Sequence, residues 1–290
     1  IERSVLKKCV KNSDIKAYSI SLTKQYLIYS DNEFTEELYP NAFKYLEDNK
    51  ELLLDRRGPR TGEYKWWRLH RPSVKEVFEC DEKILVPYRA ERNRFGYDNQ
   101  QLFNNGGDIR AIMITNNEYD TKYITSILNS NLINWYYGFI GKPKGNSREY
   151  FNKPLSQIPI AKATREKQQI LSTKVDLITG MKLNREKILT TFINYLQSQF
   201  SIEKLPKKLQ NWHELEFGDF IKELNKAIKK VGGEKLSKMD EMEWMDVFET
   251  KKAEAQTLKS EIDKTDSEID AMVYELYGLS EEEIKIVEGS

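Results

Sequence analysis

The chain has 290 residues, 39% hydrophobic and 32% charged, which suffices for two domains of ordinary size with true cores beneath a charged surface. Sixteen Tyr, twelve Phe and five Trp exclude a disordered chain, and no apolar run approaches the roughly 18 residues that a membrane span needs. The net charge of zero hides a gradient: residues 1–160 carry 25 basic and 21 acidic side chains, 161–240 carry 16 and 10, and 241–290 carry 5 and 15, so the neutral total does not exclude an anionic partner for the first 240 residues.

In chain order, Ala17–Leu22, Tyr26–Tyr29, Ile84–Tyr88 and Ala111–Thr115 are short apolar or aromatic runs bounded by turn residues, and read as strands. Asn41–Leu54 spaces Phe43, Leu46, Leu53 and Leu54 as a helix does. A second helix starts after Asp120, a good N-cap, runs through Ile124, Ile127 and Leu128, and bends at Asn129-Ser130-Asn131 before Leu132, Trp135 and Tyr136. Gly58–Gly62, Asn104–Asp108 and Gly138–Asn146 read as loops.

Past Ile158-Pro159-Ile160 the pattern turns wholly helical. Leu171, Val175, Ile178, Leu189, Phe192 and Leu196 share a face, and Phe217–Val231 forms an amphipathic helix stopped at Gly232-Gly233. Leu258, Ile262, Thr265, Ile269, Met272 and Leu276 follow a heptad rhythm that ends near Gly278. The expected fold is α+β: a mixed domain over residues 1–160, then a helical bundle or antiparallel coiled coil over 161–290.

Functional groups are unevenly distributed. Arg56, Arg57, Arg60, Lys65, Arg68, Arg71 and Lys75 crowd a stretch holding one acid, Glu63. Basic side chains on a loop neutralise phosphates or offer a guanidinium fork to guanine; the bland alternative is a solvated basic face. After the Ile84–Tyr88 run come Arg89, Glu91, Arg92, Asn93 and Arg94. Guanidinium, carboxylate and carboxamide groups match guanine, cytosine and adenine edges in the major groove, and a patch that only held phosphates has no use for Glu91. The competing reading is a hairpin turn with surface ion pairs. A third cluster, Lys142, Lys144 and Arg148 beside Asn146, suits phosphates. Thus Arg89, Glu91, Asn93 and Arg94 are candidate base readers, and Arg56, Arg57, Arg60, Lys65, Arg92, Lys142, Lys144 and Arg148 candidate phosphate ligands. Trp66-Trp67 invites base stacking, but tandem tryptophans beside Leu69 more often form core or platform.

No catalytic or metal residue is expected. Cys9 and Cys80 lie at no metal-ligand spacing and read as free thiols of a reducing cytoplasm; His70 and His213 are isolated. Asp81-Glu82-Lys83 has the D-x-K form of a nuclease metal site but lacks an upstream acid in context. There is no Asn-Pro-Pro-Tyr-like motif, no Gly-rich S-adenosylmethionine loop and no phosphate-binding Walker loop.

Five segments carry a likeness. Leu53-Leu54-Asp55-Arg56-Arg57, Gly62…Trp66-Trp67-Arg68-Leu69, Lys83–Arg89, Tyr123-Ile124…Leu132 and Leu155…Ile158-Pro159-Ile160 resemble, in that order, the TaqI-like C-terminal specificity domain over residues 15–160. Ile269-Asp270…Val273-Tyr274-Glu275-Leu276-Tyr277-Gly278-Leu279…Glu282-Glu283-Ile284 resembles the C-terminal helices of type IIG restriction–modification enzymes. The resemblance implies double-stranded DNA as partner, with base reading between Arg89 and Arg94. It implies a bacterial, cytoplasmic parent whose adenine methyltransferase and nuclease domains lie upstream and use S-adenosylmethionine and Mg2+; Ile1-Glu2-Arg3-Ser4 accordingly reads as a cut within a longer protein. The rivals are a type I specificity subunit, disfavoured because Trp66-Trp67 and Lys83–Arg89 have no second copy, and a helical protein–protein adaptor.

Overall fold

A computed structural model describes residues 1–21, 23–104 and 108–289. The chain forms two compact units, the first of Ile1–Val175 with Asp270–Ser290 and the second of Asp176–Ile269.

Unit one begins with β1 (Leu6–Val10) and β2 (Tyr26–Ile28), then the helices α1 (Pro40–Asp48), α2 (Lys50–Leu54), α3 (Arg57–Thr61) and α4 (Lys75–Phe78). Five short strands follow: β3 (Lys83–Pro87), β4 (Arg89–Ala90), β5 (Gly96–Asp98), β6 (Phe103–Asn104) and β7 (Ile109–Ile112). Next come α5 (Thr121–Asn129), α6 (Asn131–Ile140), the strands β8 (Lys142–Lys144) and β9 (Ser147–Glu149), and α7 (Asn152–Leu155). Three small sheets result, ordered β2-β1-β6, β5-β3-β7 and β4-β9-β8. Among the described strands, β1 and β6 alone pair in parallel.

Every residue of β3 is buried, as its unbroken apolar run demands of a central strand. Leu85 joins Cys9, Val10, Ile15, Tyr29, Phe78, Phe103 and Ile109 in one core cluster of the unit. Lys83 belongs to the same strand and is fully buried; its ammonium pairs with Asp98 at 2.6 Å and donates to the Phe78 carbonyl. The D-x-K likeness therefore ends in an internal ion pair. Asp120 caps α5 by accepting from the amides of Lys122 and Tyr123, and Ser130 breaks the chain into α6 and caps it in turn.

Four local expectations are corrected. Ala17–Leu22 is no strand: Tyr18, at φ 68, interrupts the extended run, leaving isolated bridges at Ile15, Tyr18 and Ile20, and Leu22 lies outside the described residues. Asn41–Leu54 is two helices, separated at Asn49. Gly58–Gly62 is a helical turn rather than a loop, because Pro59 is tolerated in a first turn and Gly62 closes the turn at φ 73. Gly138–Asn146 is the end of α6 followed by a β8–β9 hairpin, whose two-residue turn uses Gly145 at φ 60. Residues 105–107, within the Asn104–Asp108 loop, lie outside the described residues.

The helical part contains α8 (Arg165–Gln199), α9 (Lys207–Gln210), α10 (Phe217–Lys230), α11 (Lys238–Tyr277) and α12 (Glu281–Glu288). Unit two packs Phe192, Leu196, Trp212, Phe220, Leu224 and Phe248 around a Phe192–Trp212 stack at 3.9 Å. Within it α8 and α11 are antiparallel: Tyr195 meets Trp244, while Arg185 donates to the Ala255 carbonyl. Phe248, Ala255, Ile262 and Ile269 are buried at seven-residue intervals; of the expected heptad Ile262 and Ile269 are buried, while Leu258, Thr265, Met272 and Leu276 are half-buried.

The chain after Ile269 returns to unit one. There Asp270 accepts from the Asn131 amide at 2.7 Å, Tyr277 donates to the Pro159 carbonyl at 2.6 Å, and Glu275 pairs with Lys167. Among the described residues no helix is long and apolar enough to cross a membrane.

Candidate nucleic-acid interface

The smallest sheet gathers the two basic clusters that the sequence keeps apart. Strand β9 pairs with β4 and β8, setting Arg89 opposite Glu149 and Glu149 opposite Lys142. Because strand side chains alternate between faces, Arg89, Glu149 and Lys142 form one row, and Lys144 lies on the same face two positions along. Arg89, Lys142 and Lys144 are exposed and Glu149 is buried. Glu149 accepts from the Tyr88 hydroxyl at 3.0 Å and pairs with Lys142 at 3.3 Å. Burial opposes its charge, but these two partners outweigh that and hold its pKa below the usual carboxylate value. The carboxylate thus organises the row while neutralising one of its cations.

Glu91 and Arg92 follow β4 on the surface. Arg92 donates to the Asn131 side chain at 2.7 Å, which ties it to the start of α6. Arg148 is half-buried and donates to the Asn134 carbonyl at 2.7 Å, so one edge of its guanidinium is committed to α6. Arg89, Lys142 and Lys144 are therefore carried on one face of the β4-β9-β8 sheet, with Glu91 and Arg92 just beyond β4 and Arg148 on the opposite face, toward α6.

Asn93 and Arg94 do not join them. Asn93 is buried: its amide donates to Asn134, its carboxamide donates to the Leu128 carbonyl, and its side-chain oxygen accepts from the Tyr150 hydroxyl. Arg94 turns inward and donates to the carbonyls of Asn12, Ile15 and Arg89, and burial lowers its pKa. Both were expected on an exposed base-reading loop. Their hydrogen-bonding groups are instead spent on holding that loop to the β1 exit and the α5–α6 junction, which Asn129 reinforces by pairing with both backbone groups of Phe95. Asn93→Ala should cost about 2 kcal/mol, since it leaves the Tyr150 hydroxyl and Leu128 carbonyl unpaired in the interior. Thermal melting checks this; an unchanged midpoint would return Asn93 to the surface.

The Arg56–Lys65 stretch is built onto α1 and α2 around Phe34. Arg56 donates to the carbonyls of Leu53 and Trp66 and lies over the Tyr64 ring; it is a structural clamp rather than an open phosphate ligand. Arg57 is exposed, Arg60 is exposed and within 3.5 Å of Asp55, and Lys65 lies over Trp67. Trp67 packs on Phe34 and Trp66 on Phe43, so the tandem tryptophans are packing residues.

Sequence reasoning missed Arg110. Its Nε donates to Asn152, and its guanidinium lies 5.2 Å from the Phe151 ring centroid, with the Lys142 ammonium 5.5 Å from the same ring. A single arginine in the Ile109–Ile112 strand gives no cluster to notice; only the strand alternation signals that it faces the side of the sheet opposite Ile109 and Ala111.

The sequence model of the TaqI-like C-terminal specificity domain family matches residues 7–160, and one described only as a domain of unknown function matches 164–273. The chain is 26% identical over 193 residues to a protein of Methanocaldococcus jannaschii named type II methyltransferase M.MjaIV, covering 64% of each chain. It is 29% identical over 111 residues to the type II restriction enzyme and methyltransferase RM.Eco57I of Escherichia coli, covering 36% of this chain and 11% of that one. The chain thus spans less than two thirds of the length of either relative.

Proposed function

From the premise that this chain belongs to the TaqI-like C-terminal specificity domain family, we propose that it selects the double-stranded DNA sequence on which a longer restriction–modification enzyme acts. The observation that carries this is the β4-β9-β8 sheet: it collects Arg89, Glu91, Arg92, Lys142, Lys144 and Arg148 from positions 50 residues apart, inside the region that the family model matches. In this reading Arg89 and Glu91 face base edges, where a guanidinium suits guanine and a carboxylate accepts from cytosine. Arg92, Lys142, Lys144 and Arg148 hold phosphates, with Arg57, Arg60 and Lys65 as outlying contacts. Methyl transfer to adenine, and cleavage in a type IIG fusion, belong to other parts of that enzyme, with S-adenosylmethionine and Mg2+ as their cofactors.

Selection by the full chain from a pool of randomised duplexes tests the proposal. The wild-type chain should enrich one short motif. Glu91→Ala should relax that motif at one or two positions, since a well-made base contact discriminates by about 1–3 kcal/mol, whereas Lys144→Gln should weaken all sequences alike. No enrichment by the wild-type chain would overturn the reading, and an unchanged motif in Glu91→Ala would remove Glu91 from it.

A further inference from the structure

We propose that Phe139 is an apolar wedge that stacks into the DNA base column beside the basic sheet. This rests on the DNA-recognition reading above and adds to it a contact that neither phosphates nor base edges supply. Phe139 is 72% exposed, whereas the aromatic residues first considered for stacking, Trp66 and Trp67, are engaged with Phe43 and Phe34.

Its placement is specific. Phe139 is the penultimate residue of α6, three positions before Lys142 begins β8. The Trp135 ring, one turn earlier, meets it edge-on at 4.8 Å, which holds the exposed ring in place. The Arg148 guanidinium lies beside the same turn, its carbon 3.8 Å from where a Cβ on Gly138 would stand, an ordinary contact distance. Arg92 is tied to Asn131 at the other end of α6, eight residues or about 12 Å away, a span of three to four base steps at 3.4 Å each.

An exposed aromatic ring at the end of α6, three residues before the exposed Lys142 and five before the exposed Lys144, suits an occupant that is anionic outside and flat and apolar within. Duplex DNA has that chemistry: cations neutralise the backbone while an apolar side chain enters between bases and partly unstacks them. A protein surface covering Phe139 would instead have to bring carboxylates to the exposed lysines of β8. Base stacking tolerates any sequence because every base has a π-face, so Phe139 should contribute to affinity and deformation more than to base choice.

The test uses the full chain and a duplex enriched from the randomised pool, carrying 2-aminopurine at successive positions. Wild-type binding should raise the fluorescence at one step, where stacking is lost. Phe139→Ala should abolish that rise and weaken binding roughly 5- to 150-fold, the range expected of one stacked base, with the salt dependence unchanged because no charge is removed. Phe139→Trp should restore both signals. If Phe139→Ala matches the wild-type chain in affinity and fluorescence, the ring serves another surface and the inference falls while DNA recognition stands. A Phe139→Ala variant with a shallower salt dependence would also overturn it, by showing that charged contacts were lost. Failure of the wild-type chain to enrich any duplex would overturn the recognition reading and this inference with it.

Discussion

Asp98→Asn should lower the opening free energy of the β3 amides by about 3–5 kcal/mol, the effect expected when one member of a buried ion pair is removed. Lys83 and Asp98 are both inaccessible to solvent and 2.6 Å apart. With Asp98 neutralised, the ammonium keeps the Phe78 carbonyl and the face of its ring but loses its only counter-charge among the ion pairs described. Asp98 has a further duty, accepting from the amides of Gln100 and Leu102 at the start of the turn that leads to β6. Asparagine keeps one acceptor for that turn, so the loss should fall mainly on the ion pair. Lys83→Met strands the opposite charge, although the two amides soften the effect. The double variant should be more stable than either single one, because neither charge is then left alone in the core. Native-state hydrogen exchange reads β3 directly. Protection in Asp98→Asn equal to the wild-type value would show that the pair is solvated.

How far the chain was legible depended on the distance over which its information acts. Asp120 and Ser130 mark helix starts by contacts to amides two or three residues away; the sequence shows the first as an N-cap and the second only as a bend. The heptad rhythm through Ile262 and Ile269 is likewise local in origin, although its extension back to Phe248 and Ala255 was not read. Asn93 and Arg94 were misjudged because their partners are remote: Leu128 is 35 residues from Asn93, and Asn12 is 82 from Arg94. Composition made them look like Arg89 and Glu91, but chain pairing sent them inward. The same remoteness hid the union of the second and third basic clusters, which requires Ala90 to pair with Arg148. Phe139 fell within the Gly138–Asn146 segment read as a loop and was not singled out there; its place at the end of α6 and its exposure are visible only once that helix is placed.

The second large effect concerns charge. Arg89, Arg92, Lys142 and Lys144 are all exposed on or beside the β4-β9-β8 sheet. If Arg92, Lys142 and Lys144 each neutralise one phosphate, and Arg89 displaces one condensed counterion as it enters the groove to its base edge, each contributes about −0.9 to the slope of log K against log salt. Replacing all four with Gln should therefore make the slope shallower by about 3.6. Between 50 and 200 mM salt the wild-type chain should lose roughly 150-fold more affinity than the variant. Arg89 also offers its fork to a base edge, so the variant should weaken at low salt as well. Substitution at exposed positions should leave the fold intact, which melting of the variant verifies. The measurement that bears most directly on the account is this titration of full-length wild-type and quadruple-variant chains against duplex DNA at several salt concentrations. A steep wild-type slope that falls by three to four is the expected result; equal slopes and equal affinities in two folded proteins would place DNA recognition elsewhere on the chain, or nowhere on it.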